Sequence, residues 1–238
     1  MKVSFFATCL VDQLYPQVGL ASVNLLKKLG VEVKYDESQT CCGQPAYNTG
    51  YIEETQKIAR QFIKVFRDRE YIISPSGSCA AMIKCHYPEL FGEGSPEYRD
   101  VKEMAGRVYE FSDFLVSVLK VSDVGARFPH RVTFHDSCHQ FRQLGIYDQP
   151  RKLIKNVKDI EFVELEDSTR CCGFGGTFSV KFSDVSAAMV KEKVNRITES
   201  NAEYVIATDV SCMMNISGCI SRNNNPVKAM HLAQLLMQ

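Results

Sequence analysis

No stretch of this chain approaches the roughly 20 consecutive apolar residues that a membrane span requires. Its 28 basic residues are balanced by 28 acidic ones. That balance, without any basic run, excludes the electrostatic footprint of a nucleic-acid binder or of a protein held on an anionic membrane. Cys-x-x-Cys is also missing although ten cysteines are present, so the tight knuckle on which structural zinc usually draws is not available. The acidic residues are scattered over helix faces and form no paired arrangement for general acid–base work. A secretory leader is not expected either. Met1-Lys2 before the apolar Val3–Val11 mimics one, and Ala7-Thr8-Cys9 mimics a lipidation site. The run is nevertheless short, carries one positive charge and meets Asp12 with no convincing cleavage site. The expectation is a cytoplasmic protein.

What is present is ample material for a core. With 238 residues, 45% hydrophobic and 24% charged, the chain suits two domains of about 110–120 residues each. Ten cysteines in such a chain do not read as a disulfide framework, which belongs to small secreted domains lacking a core.

The cysteines follow a pattern that occurs twice. Thr40-Cys41-Cys42-Gly43 returns as Arg170-Cys171-Cys172-Gly173, and each Cys-Cys-Gly has a lone cysteine upstream (Cys9, Cys138) and downstream (Cys79, Cys212). The steps are 32 and 37 residues in the first half, 33 and 40 in the second. The segment Val3-Ser4-Phe5-Phe6-Ala7-Thr8-Cys9 matches Val132-Thr133-Phe134-His135-Asp136-Ser137-Cys138. Matched spacing of this kind marks an internal duplication. It divides the chain into residues 1–124 and 125–238, with the boundary in Ser122–Pro129.

Each half alternates strand and helix signals. Strands are predicted over Val3–Ala7, Val31–Tyr35, Tyr71–Ser74 and Arg107–Phe111, then over 131–136, 160–165, 204–208 and Val227–Met230. Val18, Ala21, Leu25, Leu26 and Leu29 recur at helical spacing before Gly30, a helix stop. Ile52, Ala59, Phe62, Ile63 and Phe66 line one face of a long helix, and 179–199 repeats it. Residues 92–100 are expected as a polar loop, and Cys212 opens a short helix. The fold class is α/β: two pseudo-symmetric repeats, each a small, mostly parallel sheet with helices on both faces. Every cysteine of the pattern follows a predicted strand, at the carboxyl edge where open α/β sheets bind ligands. Cys9, Cys41, Cys42 and Cys79 should therefore converge, and so should Cys138, Cys171, Cys172 and Cys212.

Four thiolates drawn from three segments read as a metal or iron–sulfur site. A vicinal disulfide and buried inert thiols are the alternatives. Consecutive cysteines on a strand point to opposite faces, so the chain must turn at each pair, and Gly43 and Gly173 allow that turn. Iron–sulfur is favoured over zinc because adjacent cysteines suit a cluster whose thiolates bridge irons. Cys85 and Cys219, one to two helical turns past Cys79 and Cys212, read as small apolar helix residues, with a fifth-ligand or resolving role as the alternative. His139 beside Cys138 and His135 at the same edge read as satisfied polar groups, with a ligand or proton-donor role as the alternative. Gly173-Phe174-Gly175-Gly176 lacks the G-x-G-x-x-G spacing and is read as close backbone approach to the cluster.

These segments resemble the cysteine-rich (CCG) domain family. The resemblance runs through Ala7–Asp12, Cys41–Asn48, Ser74–Cys79 and Cys171–Ser179 and covers the whole chain. Members include the catalytic B subunit of heterodisulfide reductase and the iron–sulfur subunits of glycolate oxidase and anaerobic glycerol-3-phosphate dehydrogenase. The resemblance implies a cytosolic iron–sulfur component of a three-protein system oxidising L-lactate to pyruvate. Its implied partners are a ferredoxin-type iron–sulfur subunit of that lactate-utilisation system and a third small subunit. Members with the full pattern carry a fifth thiolate where this chain has Met82 and Asn215. Each half thus offers four thiolates, and two [4Fe–4S] or related clusters are expected, the alternatives being a zinc-stabilised, non-redox scaffold of the same system and a thiol–disulfide or heterodisulfide-reductase-like enzyme using the Cys-Cys pairs directly.

Overall fold

The computed structural model describes residues 1–238 and divides into two compact units, Met1–Phe111 and Ser112–Gln238. The segment Ser112–Val124, read from sequence as the end of the first repeat, counts with the second unit. The side chain of Asp113 accepts a hydrogen bond from Gln149 Nε2 at 3.1 Å, which ties the start of that segment to the helix Asp148–Lys155.

Each unit is built on a four-stranded, wholly parallel sheet. The first comprises β1 (Lys2–Phe5), β2 (Glu32–Tyr35), β3 (Ile72–Ser74) and β4 (Val108–Glu110), in the order β2-β1-β3-β4. The second comprises β5 (Arg131–His135), β6 (Glu161–Phe162), β7 (Tyr204–Ala207) and β8 (Lys228–His231), in the order β6-β5-β7-β8. The duplication read from the cysteines is therefore a duplication of topology. The register pairs Phe5 with Tyr35 and with Ile73, and His135 with Ala207. The central strands are the apolar ones: Val3, Phe5, Ile72, Ile73, Val132, Phe134, Val205 and Ile206 are all buried, as strands covered on both faces must be.

This order positions the site. From β1 the chain crosses to β2 on one side, then returns to pair β3 on the other. A crevice therefore opens at the carboxyl ends of β1 and β3, where connections leave in opposite directions. The same switch falls between β5 and β7. Cys9 and Cys79 follow β1 and β3, and Cys138 and Cys212 follow β5 and β7.

The helices obey the predicted periodicity. In Ile52–Phe66, Thr55, Ala59, Phe62, Ile63 and Phe66 are buried. In Ser183–Glu199 the buried set is Ser186, Val190, Lys193, Val194 and Ile197, the same five positions displaced by 131 residues, with Arg196 where the first helix also buries Val65. The helix Pro16–Lys28 ends in a Schellman motif: Gly30 has φ +77°, with Gly30 N donating to Lys27 O and Val31 N to Leu26 O. Other boundaries shift. Helix Pro96–Ala105 begins inside the expected 92–100 loop, with Pro at its first turn and Val101, Met104 and Ala105 buried. The helix carrying Cys212 is not short but runs Val210–Arg222, and the strand expected over 160–165 contracts to its two edge residues.

Candidate metal centres

In the first unit the four sulfurs form a chain. Cys9 Sγ lies 3.6 Å from Cys41 Sγ, and Cys42 Sγ lies 3.3 Å from Cys79 Sγ. The turn that lets adjacent cysteines share a site is made at Gly43, with φ +82°, whose N–H points back to Cys41 Sγ at 3.4 Å. Cys42 O accepts from the buried Tyr87 hydroxyl at 3.0 Å. Cys79 sits in the first turn of helix Gly77–Ala81, where Ser76 caps the start by accepting from Cys79 N.

The second unit reproduces each device with different atoms. Gly173 has φ +82° and donates to Cys171 Sγ at 3.3 Å. Cys172 O accepts from Asn215 Nδ2 at 2.8 Å, and Asp209 replaces Ser76 as the cap, accepting from Ser211 N. The ring of His135 enters this cluster. One of its nitrogens and the sulfurs of Cys172 and Cys212 all lie within 4.8 Å of one another. Cys138 Sγ lies 3.6 Å from His139 Nδ1.

The thiols divide into anions and acids. Cys41 is lowered to about 3 by hydrogen bonds from Cys42 and then Cys9, against burial, with the Gly43 N–H assisting. Cys9 and Cys42, the partners that keep their protons, are pushed well above the ordinary thiol value. In the second unit Cys171 falls to about 2 through Cys138 and Cys172, and those two rise. Here Cys212 also falls, to about 7, through Cys172 first and with help from the approach of His135. In each cluster one thiol, Cys41 or Cys171, is thus biased toward the thiolate, the form that binds metal.

The protein beneath the second cluster is charged where the first is apolar. Arg151 is buried and donates to both carboxylate oxygens of Asp136, Nη1 to Oδ1 at 2.9 Å and Nη2 to Oδ2 at 2.7 Å, while its Nε reaches Glu164. Lys193 Nζ donates to Asp167 O and Ser168 O at 2.7 and 3.1 Å, bracing the segment before Cys171. Burial lowers its pKa to about 8. The first unit has Ala7 in the place of Asp136 and, by the 131-residue displacement, Phe62 in the place of Lys193; Phe6 precedes Ala7. Phe6 and Phe62 meet edge to face at 5.0 Å.

The remaining candidates sort cleanly. All ten cysteines are free thiols, so the pairs are not vicinal disulfides. Cys219 packs in the apolar cluster with Ile216, Ile220 and Val227, as a small helix residue. Cys85 lies half-buried on the widened turn Met82–His86. Met82 is buried in the core, and Asn215 secures a backbone carbonyl. Gly173 approaches both Cys171 Sγ, through its N–H, and the long helix. A Cβ there would lie 2.8 Å from Ser186 O. Sequence reasoning missed the Arg151–Asp136–Glu164 group and Lys193; a lysine on the apolar face of 183–199 was the available signal.

Several features fit a bound metal group. The buried hydroxyls of Thr8 and Ser137, each just before the first cysteine of its repeat, have no hydrogen-bond partner, as expected of donors aimed at an anionic group. Thr8 also holds φ +63° with ψ 149°, a strained conformation for a β-branched residue. The sulfur separations sit below the edge of about 3.8 Å that bonds of 2.3 Å give a tetrahedral zinc site. A single ion needs a small spreading of the thiols, and a cluster a larger one.

A profile of the CCG cysteine-rich domain matches residues 3–84 and 132–217, one match per repeat. The chain belongs to the CCG family. Full-length relatives of this CCG chain include "Lactate utilization protein A" of Geobacillus kaustophilus, 49% identical over 99% of this chain and 98% of that protein. Proteins of the same name from Bacillus subtilis and from an Exiguobacterium species are 48% and 51% identical, over 99% of this chain and 99% and 96% of theirs. Among solved structures, a hypothetical protein from Helicobacter pylori superposes with a TM-score of 0.69 at 10% identity. That likeness to a CCG chain is one of fold. It spans 99% of this chain but about half of the other, 48%. No helix is long and apolar enough to cross a membrane.

Proposed function

We propose that the chain is the iron–sulfur, electron-carrying subunit of a multi-protein system that oxidises L-lactate to pyruvate. Cys9, Cys41, Cys42 and Cys79 hold one centre, and Cys138, Cys171, Cys172 and Cys212 the other. The observation that carries this reading is the convergence of four thiols from three loops at the switch point of a parallel sheet, twice over. The relatives named for lactate utilization support the pathway, and a ferredoxin-type iron–sulfur subunit and a third small subunit are the partners it requires, in the cytoplasm. When bound, an iron–sulfur group supplies one-electron uptake and release. The chain's own part is to hold the thiolates: Gly43 and Gly173 turn the pairs inward, Tyr87 and Asn215 fix their carbonyls, and Thr8 and Ser137 present hydroxyls.

One observation favours a second reading, a zinc-stabilised scaffold of the same system: the short sulfur separations need less adjustment for one ion than for a cluster. Cys42→Ser and Cys172→Ser separate the two. Under the leading reading each variant loses about half of the iron, sulfide and visible absorbance of anaerobically prepared protein, and lactate-dependent growth fails. Under the scaffold reading the protein is colourless and each variant loses zinc. Unchanged metal in both variants overturns both.

A further inference from the structure

We propose that the second centre has a nitrogen ligand, His135, which the first centre lacks, so that the two centres are chemically distinct. The proposal rests on the reading that the cysteine quartets hold metal. His135 ends β5, the central strand whose carboxyl end forms the crevice. It is fully buried, at 0% exposure. Neither ring nitrogen has a hydrogen-bond partner. An imidazole sealed from water with its nitrogens unsatisfied carries an uncompensated desolvation cost. Proteins retain such a group where something outside the chain completes it. One ring nitrogen lies with the sulfurs of Cys172 and Cys212 inside a 4.8 Å group of donor atoms. That spacing admits a common metal atom at bonds of about 2.0–2.1 Å to nitrogen and 2.3 Å to sulfur.

The duplication supplies an internal control. At the place of His135 the first repeat has Phe6, equally buried, its ring satisfied by Phe62 and Phe66 at 5.0 and 5.8 Å. A buried aromatic ring therefore suits this position without any polar partner, and the histidine is not there to fill space. The donor set becomes four thiolates at the first centre and four thiolates with an imidazole at the second. The identity of its ligands is one of the levers that set the potential of an iron–sulfur centre. The two centres would then differ in potential.

The test uses the full chain with one centre at a time. Cys41→Ser with Cys42→Ser leaves the second centre, and Cys171→Ser with Cys172→Ser leaves the first. X-ray absorption at the edge of the bound metal then counts nitrogen and sulfur neighbours. The expected result is nitrogen in the shell of the second centre, none in that of the first, and loss of the nitrogen in His135→Phe. That variant copies the first repeat and so keeps a ring in place. Where iron is bound, His135→Phe also shifts the midpoint potential of the second centre and leaves the first unchanged. If His135→Phe binds no metal at the second centre while circular dichroism and the first centre stay normal, the ligand role stands. Nitrogen-free shells at both centres overturn the assignment while leaving the metal reading intact. A reconstituted wild-type chain that binds no metal overturns both.

Discussion

Replacing Arg151 by Met should destabilise the second unit by about 3–5 kcal/mol, the cost of breaking a buried ion pair from one side. The structure shows where that comes from. Arg151 and Asp136 side chains are 6% and 2% exposed. The two parallel hydrogen bonds between them, at 2.9 and 2.7 Å, are charge-assisted and worth about 1.5–3 kcal/mol each. The Glu164 arm, with a carboxylate 46% exposed, contributes at most about 1 kcal/mol. The Asp136 pair therefore decides the outcome. In urea, a slope of about 2 kcal/mol per M turns the loss into a midpoint shift of about 2 M. Adding Asp136→Ala should restore most of the stability, because a buried pair removed together leaves no orphaned charge, and Ala7 already occupies that place in the first repeat. Asp136 lies two residues before Cys138, so Arg151→Met should also weaken metal retention at the second centre alone. A single-variant loss below about 1 kcal/mol, or a double variant no more stable than Arg151→Met, refutes the reasoning.

Other outcomes follow from the same contacts. Gly43→Ala and Gly173→Ala both force a side chain into φ +82°, at about 1–2 kcal/mol. Only the second also drives a Cβ to 2.8 Å from Ser186 O and 2.9 Å from Met189 Cβ. Gly173→Ala should therefore be the more damaging by more than 1 kcal/mol in denaturant titration, and equal losses would contradict the packing. Lys193 has its folded pKa lowered to about 8 by burial, against about 10.4 when unfolded. The unfolded chain thus binds the extra proton between those values, and the wild type should gain up to about 3 kcal/mol as pH rises from 8 to 10.4. Below pH 8 the full cost of the buried charge is present. Lys193→Met should lose this slope when unfolding free energy is followed against pH, and an unchanged slope would show that Lys193 is not its source.

The parts of this protein that repeat were legible before any coordinates. Period-two and period-3.6 apolar patterns identified the strands and the long helices, because the central strands are buried on both faces and Ala59, Phe62, Ile63 and Phe66 lie on one stripe. Convergence of the eight cysteines followed from their places after strands. What was not legible is what repetition conceals. Helices Cys9–Leu14 and Cys138–Arg142 are too short to show a period. β6 is an edge strand with little apolar signal. The Arg151–Asp136–Glu164 group joins residues whose charges, read along the chain, looked like solvated helix faces. His135 was one of two candidate histidines, and only burial without a hydrogen-bond partner separates it from His139, which lies beside Cys138.

The central claim is that each repeat gathers its cysteines to hold an electron-carrying iron–sulfur group. The direct measurement is an absorbance spectrum from about 300 to 700 nm on anaerobically purified protein, with iron, sulfide and zinc assayed on the same sample. Broad absorbance near 400 nm that bleaches on reduction, with iron and sulfide in comparable amounts, is the predicted result. A colourless protein with stoichiometric zinc, unchanged after anaerobic reconstitution with iron and sulfide, would contradict it.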